Sequence, residues 1–134
     1  MQITPPIVSL LFVALHALLL IGLSLSVVVQ RRSARVGIGD GGDPLLARRI
    51  RAQANFIEYV PLALLLLALL EMGGLGLPWA WGFGSVLLLG RVLHAVGLSG
   101  SAGTSKGRFY GTLLTWVVLV AMALSGTWLA LAAL

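Results

Sequence analysis

Between Ile7 and Val29 the chain runs 23 positions without a formal charge. At 1.5 Å of rise per residue, a helix of that length crosses a hydrocarbon core about 30 Å thick. Three further apolar stretches follow, at about 44–72, 78–98 and 109–133. Together they predict an all-α chain, a single integral membrane domain over residues 1–134 built as an up-down bundle of four transmembrane helices. Composition agrees: 59% of the 134 residues are apolar and 10% are charged. A soluble domain of this size would leave much of that apolar surface outside, which excludes a soluble enzyme or binding module. There is no cysteine, so disulfides, thiolate metal sites and a cysteine nucleophile are all excluded, and no clustered metal ligands stand out.

The ends of the spans carry local signals. Asp43 is placed to cap the second helix, Pro44 suits its first position, and Gly73-Gly74 stops it. The third starts at Pro78, and Ser99 to Gly107 reads as a loop before the fourth. No Lys or Arg precedes the first span, and its apolar stretch is longer than a typical signal core, so it is expected to be a retained helix.

Nine Lys and Arg stand against Asp40, Asp43, Glu58 and Glu71, a formal charge of +5. The cations border apolar spans, which points to anionic lipid headgroups and away from nucleic acid. Arg31, Arg32, Arg35, Arg48, Arg49 and Arg51 flank the first connection; Arg91, Lys106 and Arg108 lie toward the third; the second has none. By the positive-inside tendency, connections one and three face the cytoplasm and both termini lie outside, as expected for a bacterial inner membrane. Trp79, Trp81 and Trp128 near the outer interface and Phe109 and Tyr110 near the inner one fit that orientation.

Chemistry concentrates in Arg51-Ala-Gln53-Ala-Asn55-Phe-Ile-Glu58-Tyr59-Val-Pro61. Spacings of four and three put Arg51, Asn55 and Glu58 on one helical stripe, with Gln53 and Tyr59 on adjoining faces. An ionised group at mid-span costs about 2.5–3.5 kcal/mol on insertion scales, so Glu58 needs a partner or a polar cavity. Arg51 lies about 10 Å away along the axis by the helical rise, which predicts a gap for something between them. The residue types alone also allow a plainer role, with Asn55 and Glu58 bonding across helices and Arg51 snorkelling to headgroups.

This segment resembles the MAPEG family, the membrane-associated proteins of eicosanoid and glutathione metabolism, which carry Arg-x-x-x-Asn-x-x-Glu followed by Tyr and Pro on the second of four helices. The Arg-rich first connection and Gly90-Arg91-x-x-His94 on span three extend the similarity, toward the small bacterial members. The resemblance implies a homotrimer that binds glutathione as co-substrate between subunits and opens to the bilayer for a lipophilic small-molecule substrate. It implies that Arg51 takes a carboxylate of glutathione, Glu58 its ammonium, and Asn55 and Gln53 its remaining peptide groups. It also implies a thiolate-stabilising arginine near the start of span four, for which Arg108 is the match, with Arg91 and Lys106 as alternatives. Tyr59 and Arg31 join the expected binding set. Two tyrosines that hold glutathione in the eicosanoid enzymes are replaced here by His94, which still donates, and Leu98, which does not.

The expected activity is thus a glutathione-dependent transferase or peroxidase-like reaction on lipophilic electrophiles. A glutathione- or lipid-binding protein of the same fold without turnover, and a small proton-coupled multidrug exporter relying on Glu58, are the alternatives. His16 is expected at a helix interface and Glu71 in solvent. Gly37-x-Gly39-x-x-Gly42 matches a dinucleotide fingerprint literally, but it follows a membrane helix, where that motif has no mechanism. Gly107-x-x-x-Gly111 is no more than 17 glycines produce by chance. Trp116 is expected to pack, or to border an acyl substrate.

Overall fold

The computed structural model describes residues 5–100 and 105–134, so residues 101–104 of the expected third loop lie outside the description. Four helices account for nearly all of it: α1 (Ile7–Ala34), α2 (Pro44–Met72), α3 (Leu77–Gly100) and α4 (Lys106–Ala133). All four are long and apolar enough to cross a membrane. Neighbours in sequence run antiparallel, since the end of α2 meets the start of α1 and the end of α3 meets the start of α4. α2 and α3 form the centre, while α1 and α4 flank them without close approach to each other among the described residues.

The α2 boundaries fall where the local signals put them. The Asp43 carboxylate accepts from the backbone N–H of Leu45 (2.8 Å) and Leu46 (3.1 Å), Pro44 fills the first turn, and Gly73 ends the helix. Gln30 at the end of α1 donates to the same carboxylate at 2.8 Å, tying α1 to α2. That bond first, and the helix N–H groups of Leu46 and Leu45 after it, hold the Asp43 carboxyl below its ordinary range. α1 runs five residues past the apolar stretch and ends on Arg35, in the left-handed region at φ 56°, with Val36 N–H bonded to Arg31 C=O at 3.0 Å. α3 begins one residue before Pro78.

Glu71 is not solvated as expected; it is 2% exposed. The cause lies at the start of α1, where Pro6 stands at the cap position and has no side-chain oxygen to offer the first N–H groups. Glu71 supplies it from the far end of α2, accepting from Val8 N–H (3.0 Å), Ser9 N–H (2.7 Å) and Ser9 Oγ–H (2.6 Å). A carboxylate at a helix N-terminus is also favoured by the helix dipole.

The second departure concerns glycine. A Cβ on Gly97 would collide with the Arg108 backbone, and one on Gly111 would lie 2.5 Å from the His94 nitrogen. Gly107 sits against Gly97 and the Leu93 carbonyl. Gly107-x-x-x-Gly111 therefore does have a use: with Gly90 and Gly97 it lets α3 and α4 approach backbone to backbone. This brings the start of α4, and Arg108 with it, beside His94.

Candidate functional site where α2, α3 and α4 meet

Arg51, Asn55 and Glu58 share one face of α2, as their spacing requires. The gap expected between the first and last is absent. Arg51 Nη1 donates to Glu58 Oε1 at 3.0 Å, because an extended arginine side chain spans the two helical turns that the backbone rise leaves between them. Both side chains remain open, at 63% and 45% exposure. Exposed pairs of this kind are worth about 0–1 kcal/mol, so the contact opens at little cost. Asn55 and Tyr59 are half-buried beside it.

Behind this stripe lies Arg91 of α3. Its side chain is 1% exposed, too deep to snorkel. Nη2 donates to Asn55 Oδ1 at 2.8 Å, Nη1 approaches Thr115 Oγ1 of α4 at 3.4 Å, and the guanidinium carbon lies 5.9 Å from the centroid of the Phe56 ring. The Arg91 Nε–H has no partner among the described residues, and no described carboxylate forms an ion pair with it. An arginine inside an apolar run, three residues before a histidine, was the available sequence signal. The resemblance offers Arg91 as an alternative to Arg108, while its place near the end of the span masks its burial.

One turn on, His94 is 4% exposed and its Nδ1 has no partner among the described residues. Arg91, Arg108 and Arg51 all act on it electrostatically, and Arg91 is likewise within reach of Tyr59 and Glu58. The fold therefore gathers Arg51, Asn55, Glu58, Tyr59, Arg91, His94 and Arg108 at one end of α2, α3 and α4. Leu98 is buried there at 4% exposure and offers no polar atom.

Arg108 stands in the first turn of α4, whose start is capped by Ser105 Oγ accepting from Arg108 N–H at 3.2 Å. Ser105 Oγ–H in turn donates to Gly97 C=O at 2.7 Å, fastening that turn to α3. Arg108 borders a groove of about 370 Å³ that continues along α4 past Phe109, Thr112, Leu113 and Trp116. A cation thus heads an otherwise largely apolar channel on the outer face of the bundle. Trp116 lines it as one of the two expected alternatives allows.

Gln53 and Arg31 are placed elsewhere. Gln53, roughly 200° around the helix from Arg51, donates to Ser24 Oγ of α1 at 2.7 Å. Arg31 Nη1 donates to Gly39 C=O at 2.7 Å and holds the first connection against the end of α1. Neither joins the cluster around His94 in this chain. Gly39, Gly41 and Gly42 take positive φ in that connection, between two helices and with no strand among the described residues, so the fingerprint-like glycines serve a turn. His16 is buried, with Nδ1 2.7 Å from Phe12 C=O and its ring against Phe56.

Known proteins match the chain along most of its length. The chain is 38% identical over 121 residues to the inner membrane protein YecN of Escherichia coli strain K12, covering 90% of this chain and 91% of that protein. YecN of Escherichia coli O6:H1 matches to the same extent. Residues 9–128 match the MAPEG family, and that span contains all four helices almost entire, the α2 stripe, Arg91, His94 and Arg108. With the shared spans and the Arg51, Asn55, Glu58, Tyr59 and Pro61 pattern, the chain belongs to the MAPEG family of membrane proteins.

Proposed function

We propose that this protein is a trimeric inner-membrane enzyme that binds glutathione and transfers its thiolate to lipophilic electrophiles, in a transferase or peroxidase-like reaction. One observation carries the reading: an open, weakly held cation–anion pair, Arg51 and Glu58, stands beside a surplus of arginine charge that the polypeptide leaves unneutralised. Glutathione has the complementary groups. Its γ-glutamyl end is a zwitterion whose carboxylate and ammonium exchange into the Arg51–Glu58 contact, replacing one exposed ion pair by two ligand-bridged ones. Arg108, at the head of the groove, is placed to stabilise the thiolate.

In a transfer step the thiolate sulfur forms a bond to the electrophilic carbon in that groove, and the leaving group departs with its electron pair. Lowering a thiol from about 8.5 to about 6.5 raises the thiolate fraction at pH 7 about 25-fold, but intrinsic nucleophilicity falls about 6- to 10-fold. Most of the acceleration therefore comes from holding the two reactants together away from water. Gln53, bonded to Ser24 of α1, and Arg31, bonded to the first connection, lie away from this cluster and reach a glutathione bound on a neighbouring copy, so a site between subunits uses every residue in the set. Connections one and three face the cytoplasm in this reading, which places the site on the glutathione-containing side.

A glutathione-binding protein without turnover is the second reading, favoured by Leu98, which brings no hydroxyl to the site. Proton-coupled export relying on Glu58 leaves Arg51 and Asn55, on the same helical face, and the buried Arg91 without a role. The deciding experiment titrates the ultraviolet thiolate band of glutathione on the purified protein, with Arg108→Ala and Arg51→Ala alongside. Loss of Arg108 is expected to raise the bound thiol's pKa with little change in affinity, and loss of Arg51 mainly to weaken binding. Equal affinity and ionisation in both variants would remove both roles, and binding without conversion of any test electrophile would select the second reading.

A further inference from the structure

Arg91 has a local environment that a purely structural arginine would not need. Its guanidinium is shut away from water and lipid headgroups, and among the described residues it bonds only to neutral oxygens of Asn55 and Thr115, with its Nε–H left over. A buried charge without a compensating anion is costly, and replacing such groups by apolar ones of similar volume is often neutral or stabilising. The arrangement therefore implies a compensating charge beyond that of Glu58, the described carboxylate that acts on Arg91.

The bond to Asn55 has a directional consequence. Because Oδ1 accepts from Arg91, the amide nitrogen of Asn55 is the free end, and it is left on the half-exposed side of α2 with two donors and no acceptor. A side chain that in isolation could present either end is thereby committed to an oxygen acceptor on a ligand. Charge counting points the same way. The groups acting on one another here are the guanidiniums of Arg51, Arg91 and Arg108 against the single carboxylate of Glu58, with His94 and Tyr59 counted as neutral, a formal surplus of two positive charges. Glutathione carries two carboxylates and one ammonium, a net charge of −1 as the thiol and −2 as the thiolate. Only the thiolate balances the cluster.

We propose that Arg91 is a positioning residue of the glutathione site, one that turns the Asn55 amide toward the ligand and supplies the buried positive charge that selects glutathione as the thiolate rather than the thiol. This rests on the functional reading above and extends it, because it assigns thiolate selection jointly to Arg108 beside the sulfur and to a cation that never touches the ligand. Asn55 transmits the geometric part and the low-dielectric interior the electrostatic part.

The test alters the charge of Arg91's surroundings while leaving Arg91 and the exposed stripe in place. Thr115 is fully buried and meets the terminal nitrogen of Arg91 that does not bond Asn55. Thr115→Asp supplies the missing carboxylate, and Thr115→Asn is its neutral counterpart of nearly equal volume. Glutathione binding and the thiolate absorbance of the bound tripeptide are measured against pH on detergent-purified wild type and both variants. Thr115→Asp is expected to raise the bound thiol's pKa by about one unit and to weaken binding at neutral pH about tenfold, with Thr115→Asn within about twofold of wild type. If Thr115→Asp does not assemble, Arg91→Lys against Arg91→Met gives the same contrast at the source of the charge: lysine keeps the bound thiol acidic, methionine does not. Identical thiol titrations for charged and neutral variants that still bind glutathione would overturn the role of Arg91 while leaving the function intact. Failure of the wild type to bind glutathione would overturn both.

Discussion

Glu71 and Arg91 are the two charged side chains buried among the described residues, and the fold treats them in opposite ways. Glu71, at the C-terminal end of α2, is saturated, with three donors from the start of α1 converging on its two oxygens. Arg91, in the C-terminal half of α3, is bonded to two neutral oxygens and has an N–H to spare among the described residues. One charge completes the chain's own hydrogen bonding; the other leaves a demand the chain does not meet. A buried ionised group in a membrane protein is expensive in either place. The first therefore reads as architecture and the second as part of a site.

That contrast predicts stability changes of opposite character. Glu71→Ala exposes three orphaned donors and is expected to cost about 3 kcal/mol or more, seen as a large drop in the thermal midpoint in detergent, while the molecules that remain folded bind glutathione as before. Gly111→Ala is expected to cost about 1–3 kcal/mol, because the added carbon meets the His94 backbone across the α3–α4 contact, and to impair thiolate formation as Arg108 is displaced. Arg91→Met is expected to leave stability within about 1 kcal/mol of wild type, or raise it, while glutathione ionisation suffers. A collapse of Arg91→Met comparable to that of Glu71→Ala would erase the distinction between the two residues.

The smallest effect is expected at Asp43. Its carboxyl titrates lower in the folded protein than in the unfolded chain, so its contribution is fully present above the unfolded value near 3.9 and is lost as pH falls through the folded one. Acid unfolding curves of wild type and Asp43→Ala should run parallel from neutral pH to about pH 5 and converge only below that range. A difference between them that changes between pH 7 and pH 5 would contradict the capping role.

Much of this was readable from local pattern. The bounds of α2 follow from Asp43, Pro44 and Gly73, each acting on its immediate neighbours, and the stripe of Arg51, Asn55 and Glu58 follows from helical spacing. What escaped depended on distant partners or on side-chain reach. Glu71 looks solvated until Ser9, 62 positions earlier, is brought against it. The Arg51–Glu58 contact is invisible to an argument from backbone rise, since the arginine side chain bridges the interval. Arg91 lies at a plausible snorkelling depth in the sequence, and only the packing of α2 and α4 around it reveals that its charge stays inside. The glycines of α3 and α4 acquire meaning as facing sets, a relation that no single helix contains.

Equilibrium dialysis of labelled glutathione against the purified wild-type protein tests the central claim most directly, with the desamino analogue that lacks only the γ-glutamyl ammonium as competitor. Saturable binding is expected, competed by unlabelled glutathione and about tenfold less well by the analogue, which leaves Glu58 without a partner. Absence of saturable binding, or equal competition by the two compounds, would contradict the claim that this charge cluster is completed by a zwitterionic thiol.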